Sequence, residues 1–522
     1  MLLRSTLGVY FAWFLVPLIL ASVARPFALW DYFTSTGLFH KGLPIEWGTL
    51  FSNSVHHLLT GQYVIRPTAV FLYDLQTLLF GGEFWLWYLL KWTAFGASVW
   101  LVSDLLKGFG CDWPVRAAAA ALLLFHPARF TLMLHAPDGW LALGIVAQLW
   151  LLARFNFDVL RMNRWAHAAW FALALFTIGT KEVGWVFQAM LVLFALTRNR
   201  QGWKPLLPHV GLVAFWIWIL SKGSARAAGF TAAAWWERFL EQTGLLFPVS
   251  TAHLLSLVLG ALIVASLLHR HPLALFTLAT AAAMLAFVVI PPLVALRYVI
   301  APFFLVVIAI ALGLQSLPRG RTPIALLLIA AYPLLTAGSV YRQELAYQHQ
   351  FFEISTALAE MDSKARGGYG LAITGLSGDF EGEAFHTIQR FFFQYGPKWY
   401  GLDAARAMVV VKDKGWPQQR FVMLSLFDPA RIEHQGKLNG NRIEAVYAMV
   451  PGDHGALGRL AGFYYRLDRC LRRPDVYRYD SGGPEIRSTP HFYLYIVGNA
   501  NDARNAGWKL LEMPAGRRPG GF

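Results

Sequence analysis

Ionisable side chains inside or beside long apolar runs are costly to desolvate, so they are the first place to look for chemistry. Here they are Asp31, Glu46, Arg66, Asp74, Asp138, the pair Lys181-Glu182 and the pair Arg297-Tyr298, with His56, His57, His126 and His135 nearby. Asp31 stands in Ala28-Leu29-Trp30-Asp31-Tyr32, where aromatic neighbours can hold a carboxylate at a membrane surface as a general base. A helix N-cap or a turn aspartate explains the same residue structurally. Asp138 follows His135-Ala136-Pro137 at the start of an apolar run, where an N-cap is an equally natural reading. Lys181-Glu182 follows Gly179-Thr180 at the boundary of two runs. The two charges either cap consecutive helices, or Lys181 meets a phosphate while Glu182 orients it or binds a metal. Arg297 interrupts a run that is otherwise apolar from Ile290 onward. An unpaired guanidinium there would cost roughly 3 kcal/mol, so an anionic partner is expected near it.

Metal and nucleotide signals are weaker. His56 and His57 are adjacent, which on a helix points them apart, and neither Cys-x-x-Cys nor His-Glu-x-x-His occurs. A divalent cation of unspecified identity would need Asp138 and Glu182, with Asp31, to converge from three loops. The sequence has neither a Walker loop nor a dinucleotide fingerprint, so no nucleotide cofactor is expected and a nucleotide-powered pump is disfavoured.

The elements that must position these residues are set by composition. Of 522 residues 56% are hydrophobic and 14% charged, with 21 Trp and 39 Phe, whereas a soluble domain is about 25% charged. Mean hydropathy is +0.45. A soluble cytosolic enzyme is excluded on these grounds. Apolar runs lie near 7–23, 83–103, 116–131, 138–154, 165–180, 183–198, 205–221, 251–268, 272–290, 298–315 and 323–340. They predict an α-helical polytopic membrane protein with about eleven transmembrane helices, each near the roughly 20 residues a bilayer requires. With the N-terminus cytoplasmic, the inner loops receive Lys107 and Arg116, then Arg154, Arg161 and Arg164, then Arg198, Arg200 and Lys204, then Arg270, then Arg319 and Arg321. An odd number of spans places the rest of the chain outside. Cys111 then lies inside and Cys470 outside, so they cannot pair.

The net charge of +15 does not indicate nucleic acid, because most basic residues of 1–340 sit singly or in small groups between apolar runs. Two outer loops are long, 24–82 and about 221–250. The first contains 47–59 and 68–80, which read as helices lying at the membrane interface. Residues 1–340 are expected to form the membrane region, and 341–522 a soluble α/β or α+β domain. In that domain a helix is expected over 344–361 and strands at 370–374, 407–411, 421–427, 443–449 and 492–497, followed by a disordered end over 516–522.

Several segments together resemble the GT-C superfamily of polytopic glycosyltransferases, particularly its protein O-mannosyltransferase-like branch. They are Asp31 after the first run; Tyr63-Val64-Ile65-Arg66-Pro67-Thr68-Ala69 with Tyr73-Asp74 and Leu79-Phe80-Gly81; Leu124-Phe125-His126-Pro127 leading to Asp138; Gly179-Thr180-Lys181-Glu182, similar to a Ser-Lys-Glu motif; and Arg297-Tyr298 with Pro302. The resemblance implies an enzyme that takes sugar from a polyprenyl-phosphate-linked donor and transfers it, usually with inversion, to a glycan, lipid or protein acceptor on the outer face. It implies that Asp31 is the catalytic base, that Asp138 is a second acid that binds metal or positions the acceptor, and that Lys181, Glu182, Arg66, Arg297 and Tyr298 surround the donor phosphate. The sequence departs from that pattern at Tyr32, where a second acid is common, and at Thr180.

A transporter or flippase of a polar or lipid-linked substrate is the alternative, but such proteins place ionisable groups at the midplane and often show two related halves. Here the acids stand at outer span ends and no half-repeat is visible. A sensor or assembly protein with a membrane anchor fits less well, since eleven spans exceed what anchoring needs. Compact loops and the near absence of Asn-x-Ser/Thr sites from the outer loops point to a bacterial inner membrane, with the 341–522 domain periplasmic.

Overall fold

The computed structural model describes residues 45–60, 66–81, 84–126, 128–129, 137–198, 203–221, 231–246, 253–290, 296–318, 320–333, 336, 361, 363–364 and 369–374, and strand segments at 408–410, 421–425, 442–449, 493–498 and 510–513. The first apolar run with Asp31, most of the helix expected over 344–361, and the end at 516–522 lie outside the described residues.

The described residues are mostly helical. A 3-10 turn, Trp47–Thr49, leads into α1 (Leu50–Thr60), followed by α2 (Pro67–Phe80), α3 (Phe84–Gly108), α4 (Trp113–Leu124), α5 (Asp138–Ala153), α6 (Arg164–Thr180) and α7 (Gly184–Arg198). Then come α8 (Leu207–Ser221), α9 (Ala232–Gly244), α10 (His253–Leu268), α11 (Pro272–Val288), a second 3-10 turn at Leu296–Val299 and α12 (Ile300–Gln315). A further apolar helix, α13, runs over Arg321–Pro333.

Local chemistry explains the boundaries. Asp112 accepts from the amide of Val115 and caps α4, while Asn163 accepts from Ala166 at 2.9 Å and caps α6. Proline opens α2 and α11 at a position where a missing amide costs nothing. These caps and turns cut the apolar runs shorter than their composition suggests. Among the described residues Leu86–Gly108 is the one helix long and apolar enough to cross a membrane, and eight more apolar helices have 10–17 residues.

The bundle is organised on α12. Every residue from Ile300 to Leu314 is buried, and α12 packs against α3, α4, α5, α10 and α11. Contacts between connecting segments mark two ends of the bundle. At one end Arg321 pairs with Asp112 at 2.9 Å, Gln315 donates to the Gly110 carbonyl at 3.1 Å, and the Phe109 ring meets both Phe157 and His271. Lys107, Arg116, Arg154, Arg161, Arg164, Arg198 and Arg270 lie on connections or helix termini at that end. At the other end, His126 bonds to the Leu246 carbonyl at 3.2 Å, and Trp235 donates to the Ala286 carbonyl at 3.0 Å.

The core is mainly apolar but also holds polar side chains bonded between helices, and the exterior carries many large apolar ones. Inside, Gln148 of α5 donates to Thr177 at 2.8 Å and accepts from Trp170 at 3.0 Å, both on α6. His209 of α8 stacks on Trp170 and meets Gln188 of α7 at 3.1 Å. Outside, α8 exposes Leu207, Val210, Phe215, Ile217 and Trp218, and α10 exposes Leu257, Val264 and Leu268.

Beyond the bundle, strands β1 (Gly370–Thr374), β2 (Met408–Val410), β3 (Phe421–Ser425), β4 (Arg442–Met449), β5 (Tyr493–Gly498) and β6 (Leu510–Met513) form one mixed sheet in the order β2-β1-β3-β5-β4-β6. β1 is parallel to β2 and β3, β5 is antiparallel to β3 and β4, and β6 is parallel to β4. Five of these strands lie on segments read as strands from the sequence. The sixth, β6, is a four-residue edge strand, too short to show an alternating pattern.

Cys111 lies in the turn between α3 and α4, where burial pushes its thiol up to about 12; nearby Asp112 adds to the rise and Arg116 works against it. Thiolate is the reactive form and becomes appreciable only as pH approaches that value. At pH 8 the folded chain should therefore resist alkylation at Cys111, and denatured chain should react readily. Mass spectrometry of the alkylated peptide checks this, and equal rates in the two states would contradict it.

Candidate functional site

The end of the bundle opposite the basic loops carries a cluster of four charges, three of them buried, from three segments, with a tyrosine from a fourth. Arg66 is the N-cap of α2, Asp138 is the first residue of α5, Lys181 and Glu182 form the turn between α6 and α7, and Tyr298 lies in the 3-10 turn before α12.

The α6–α7 turn separates its two charges. Lys181 ends α6 in extended geometry, φ −157° and ψ 147°, and the amide of Gly184 closes the turn by donating to its carbonyl at 2.8 Å. A side chain at Gly184 would strike the Thr177 carbonyl, with its Cβ 2.3 Å away, so a turn this tight requires glycine. Lys181 extends to Asp138 and forms a short buried ion pair with it. Glu182 instead receives Arg66, whose Nε and Nη2 both lie 3.1 Å from Oε2. The carboxylate of Asp138 stands at the first turn of α5, where the helix dipole favours negative charge.

Arg66 reaches Glu182 because α2 approaches α6 closely. A Cβ on Gly179 would lie 2.2 Å from Thr68 Oγ1 and 3.2 Å from the Thr68 amide, so the approach depends on glycine. From the other side, α1 holds the same segment. The Arg66 amide donates to His57 Nε2 at 3.0 Å, and Asn53 donates to Asp74 Oδ2 at 3.1 Å. Burial alone would lower the Arg66 pKa, but the negative charge and hydrogen bond of Glu182 outweigh it and the pKa is raised. The guanidinium stays charged. The Lys181 ammonium also lies 4.5 Å from the centre of the Tyr298 ring, a cation–π contact.

Arg66, Asp138, Lys181, Glu182 and Tyr298, all singled out in the sequence, are thus brought together. Arg297 occupies the same turn as Tyr298, and its side chain, like Asp31, lies outside the described residues. Asp138 and Glu182, the expected metal ligands, each face a cationic side chain, and among the described residues no group of three or more His, Cys, Asp or Glu could hold a metal ion, while Asp31, their expected companion, lies outside those residues. His126 is an anchor: its Nδ1 accepts from the Ala128 amide at 3.1 Å, its Nε2 meets the Leu246 carbonyl, and its ring packs on Phe303. Asn53 was missed in the sequence, although it stands four residues before His57 and therefore on the same helix face.

Chemically, two cations and two carboxylates form a neutral, nearly dry group. The guanidinium fork and the ammonium are the right donors for phosphate oxygens, and each is pre-oriented by its carboxylate. No model of a protein family, no curated protein and no solved structure matches this chain.

A buried ion pair deprived of one partner costs about 3–5 kcal/mol, because the other charge is stranded. Lys181→Met should lower stability by about that amount, and Lys181→Met with Asp138→Asn should recover most of it. Denaturant unfolding of the two variants in detergent checks this. A double variant no more stable than the single one would contradict the pairing.

Proposed function

We propose that this chain is a polytopic membrane glycosyltransferase that takes sugar from a polyprenyl-phosphate-linked donor and transfers it to an acceptor on the outer face. The observation that carries the reading is the convergence of Arg66, Asp138, Lys181, Glu182 and Tyr298 at the bundle end opposite the basic loops. The large apolar side chains exposed on the outside of the helices support lipid as their solvent. In that setting the basic end faces the cytoplasm of a bacterial inner membrane, and the charge cluster and the mixed sheet lie on the periplasmic side.

Arg66 and Lys181 take the donor phosphate, with Arg297 and Tyr298 beside it. Asp31 removes the proton from the acceptor hydroxyl as its oxygen attacks the anomeric carbon. The bond from that carbon to the phosphate oxygen breaks, and the electron pair leaves with the phosphate. Its developing charge falls opposite two fixed cations, where preorganised donors count most. Glu182 holds Arg66 in place and Asp138 does the same for Lys181, and Asp138 is released to the acceptor side as the phosphate engages the ammonium. The motif resemblance to GT-C enzymes agrees with these roles. The sheet region is read as an acceptor-selecting domain of α/β or α+β type.

Purified chain in liposomes, given a panel of polyprenyl-phosphate sugars and a membrane extract as acceptor, should transfer one of them. Asp31→Asn should remain folded and lose about 10²–10⁴-fold in rate, the usual contribution of a general base. Absence of donor turnover by the native chain, or undiminished transfer by Asp31→Asn, would contradict the reading and favour a transporter.

A further inference from the structure

Helix α1 buries more polar than apolar side chains. Its buried residues are Leu50, Asn53, Ser54 and His57, and its exposed ones include Phe51, Val55 and Leu59 beside Ser52 and His56. With Trp47 in the preceding turn, these apolar residues recur every fourth position, and Phe51 and Leu59 are 74% and 76% exposed. A four-residue repeat makes a stripe along a helix as an inclined ridge, at about 26° to its axis. A helix packed on a protein in water would turn such a stripe inward.

The other contacts of α1 indicate what covers the stripe. Leu58 packs against the small apolar cluster that Ile178 of α6 forms with Trp216 and Ile219 near the end of α8. That same part of α8 exposes Phe215, Ile217 and Trp218. Through Leu58, next to Leu59 of the stripe, α1 is thus joined to a bundle helix whose own exterior is apolar. The polar inner face of α1 meanwhile grips the site segment, through His57 on the Arg66 amide and Asn53 on Asp74. Ser52 and His56, the exposed residues next to Phe51 and Val55, give α1 a polar edge beside the stripe.

We infer that α1 is a lipid-seated strap: Trp47, Phe51, Val55 and Leu59 enter the boundary between headgroups and acyl chains, and the opposite face holds Arg66 at that depth. The partner is the phospholipid bilayer itself. A helix of this kind buries its apolar face about 5–10 Å into that boundary. The segment bearing Arg66 is then held in the layer where a lipid-borne phosphate lies. The inference rests on the membrane half of the proposed function and is independent of the reaction.

The test uses the full chain in phospholipid nanodiscs, with Cys470→Ala and the buried Cys111 retained. Single variants Phe51→Cys, Val55→Cys, Leu59→Cys, Ser52→Cys and His56→Cys carry a bimane label, and Ile217→Cys on α8 reports on the bundle exterior. Doxyl-labelled phosphatidylcholine should quench the label at 51, 55, 59 and 217, and aqueous iodide should quench it at 52 and 56. Lipid quenching at 217 with iodide quenching at 51, 55 and 59 would overturn this inference and leave the membrane reading standing. Labels at 51, 55 and 59 shielded from both quenchers would also overturn it, since a protein surface would then cover the stripe. No lipid quenching even at 217 would overturn both. The link to the site has its own readout: Phe51→Asp with Leu59→Asp should speed deuterium uptake in the peptide containing Arg66, and unchanged uptake would refute the link.

Discussion

The structure depends on the pairing of four charges, three buried and one half-buried, at one end of the helical bundle. Lys181 with Asp138 and Arg66 with Glu182 are each affordable only as pairs, because a single uncompensated charge in that setting would cost several kcal/mol. The partners come from the start of α2, the start of α5 and the turn between α6 and α7, so neither pair forms until these segments have docked. The α6–α7 turn alone supplies one member of each pair, which makes it the point where α2 and α5 are brought into one site.

Close packing makes the docking possible. Gly179 allows α2 to lie against α6, Gly184 allows the turn to close, and the buried α12 carries Tyr298 to the Lys181 ammonium from the bundle centre. The core of the bundle is mainly apolar, and within it glutamine, threonine and histidine side chains are held by hydrogen bonds between helices, while further leucine, phenylalanine and tryptophan side chains lie on its exterior. Under the proposed function, a site at the end of such a bundle combines fixed charges with access to a lipid-borne substrate.

Much of the helical layout was legible in the sequence, because long apolar runs separated by basic residues leave few alternatives. Helix ends were less legible: within the run over 116–131 the helix ends at Leu124, with Phe125 as its C-cap. The ionisable residues of the site could be named from their cost in apolar surroundings, but their partners could not. That Lys181 and Glu182 serve different acceptors follows from one extended residue and one glycine contact, and spacing along the chain reports neither. The task of His57 was hidden for the same reason, since its bond is to the backbone of Arg66. Strand β6 has no pattern of its own and exists by pairing with β4.

The central claim is that the paired cations form a seat for a lipid-borne phosphate, and binding of the sugar-free lipid tests it most directly. Native mass spectrometry of the chain with polyprenyl phosphate, and with the uncharged polyprenol as control, reads occupancy without requiring the right sugar or acceptor. The account predicts one bound polyprenyl phosphate per chain, little bound polyprenol, and at least about tenfold weaker binding when Lys181→Met is combined with Asp138→Asn, which keeps the fold neutral at that position. Equal binding of phosphate and alcohol, or undiminished binding by the double variant, would contradict it.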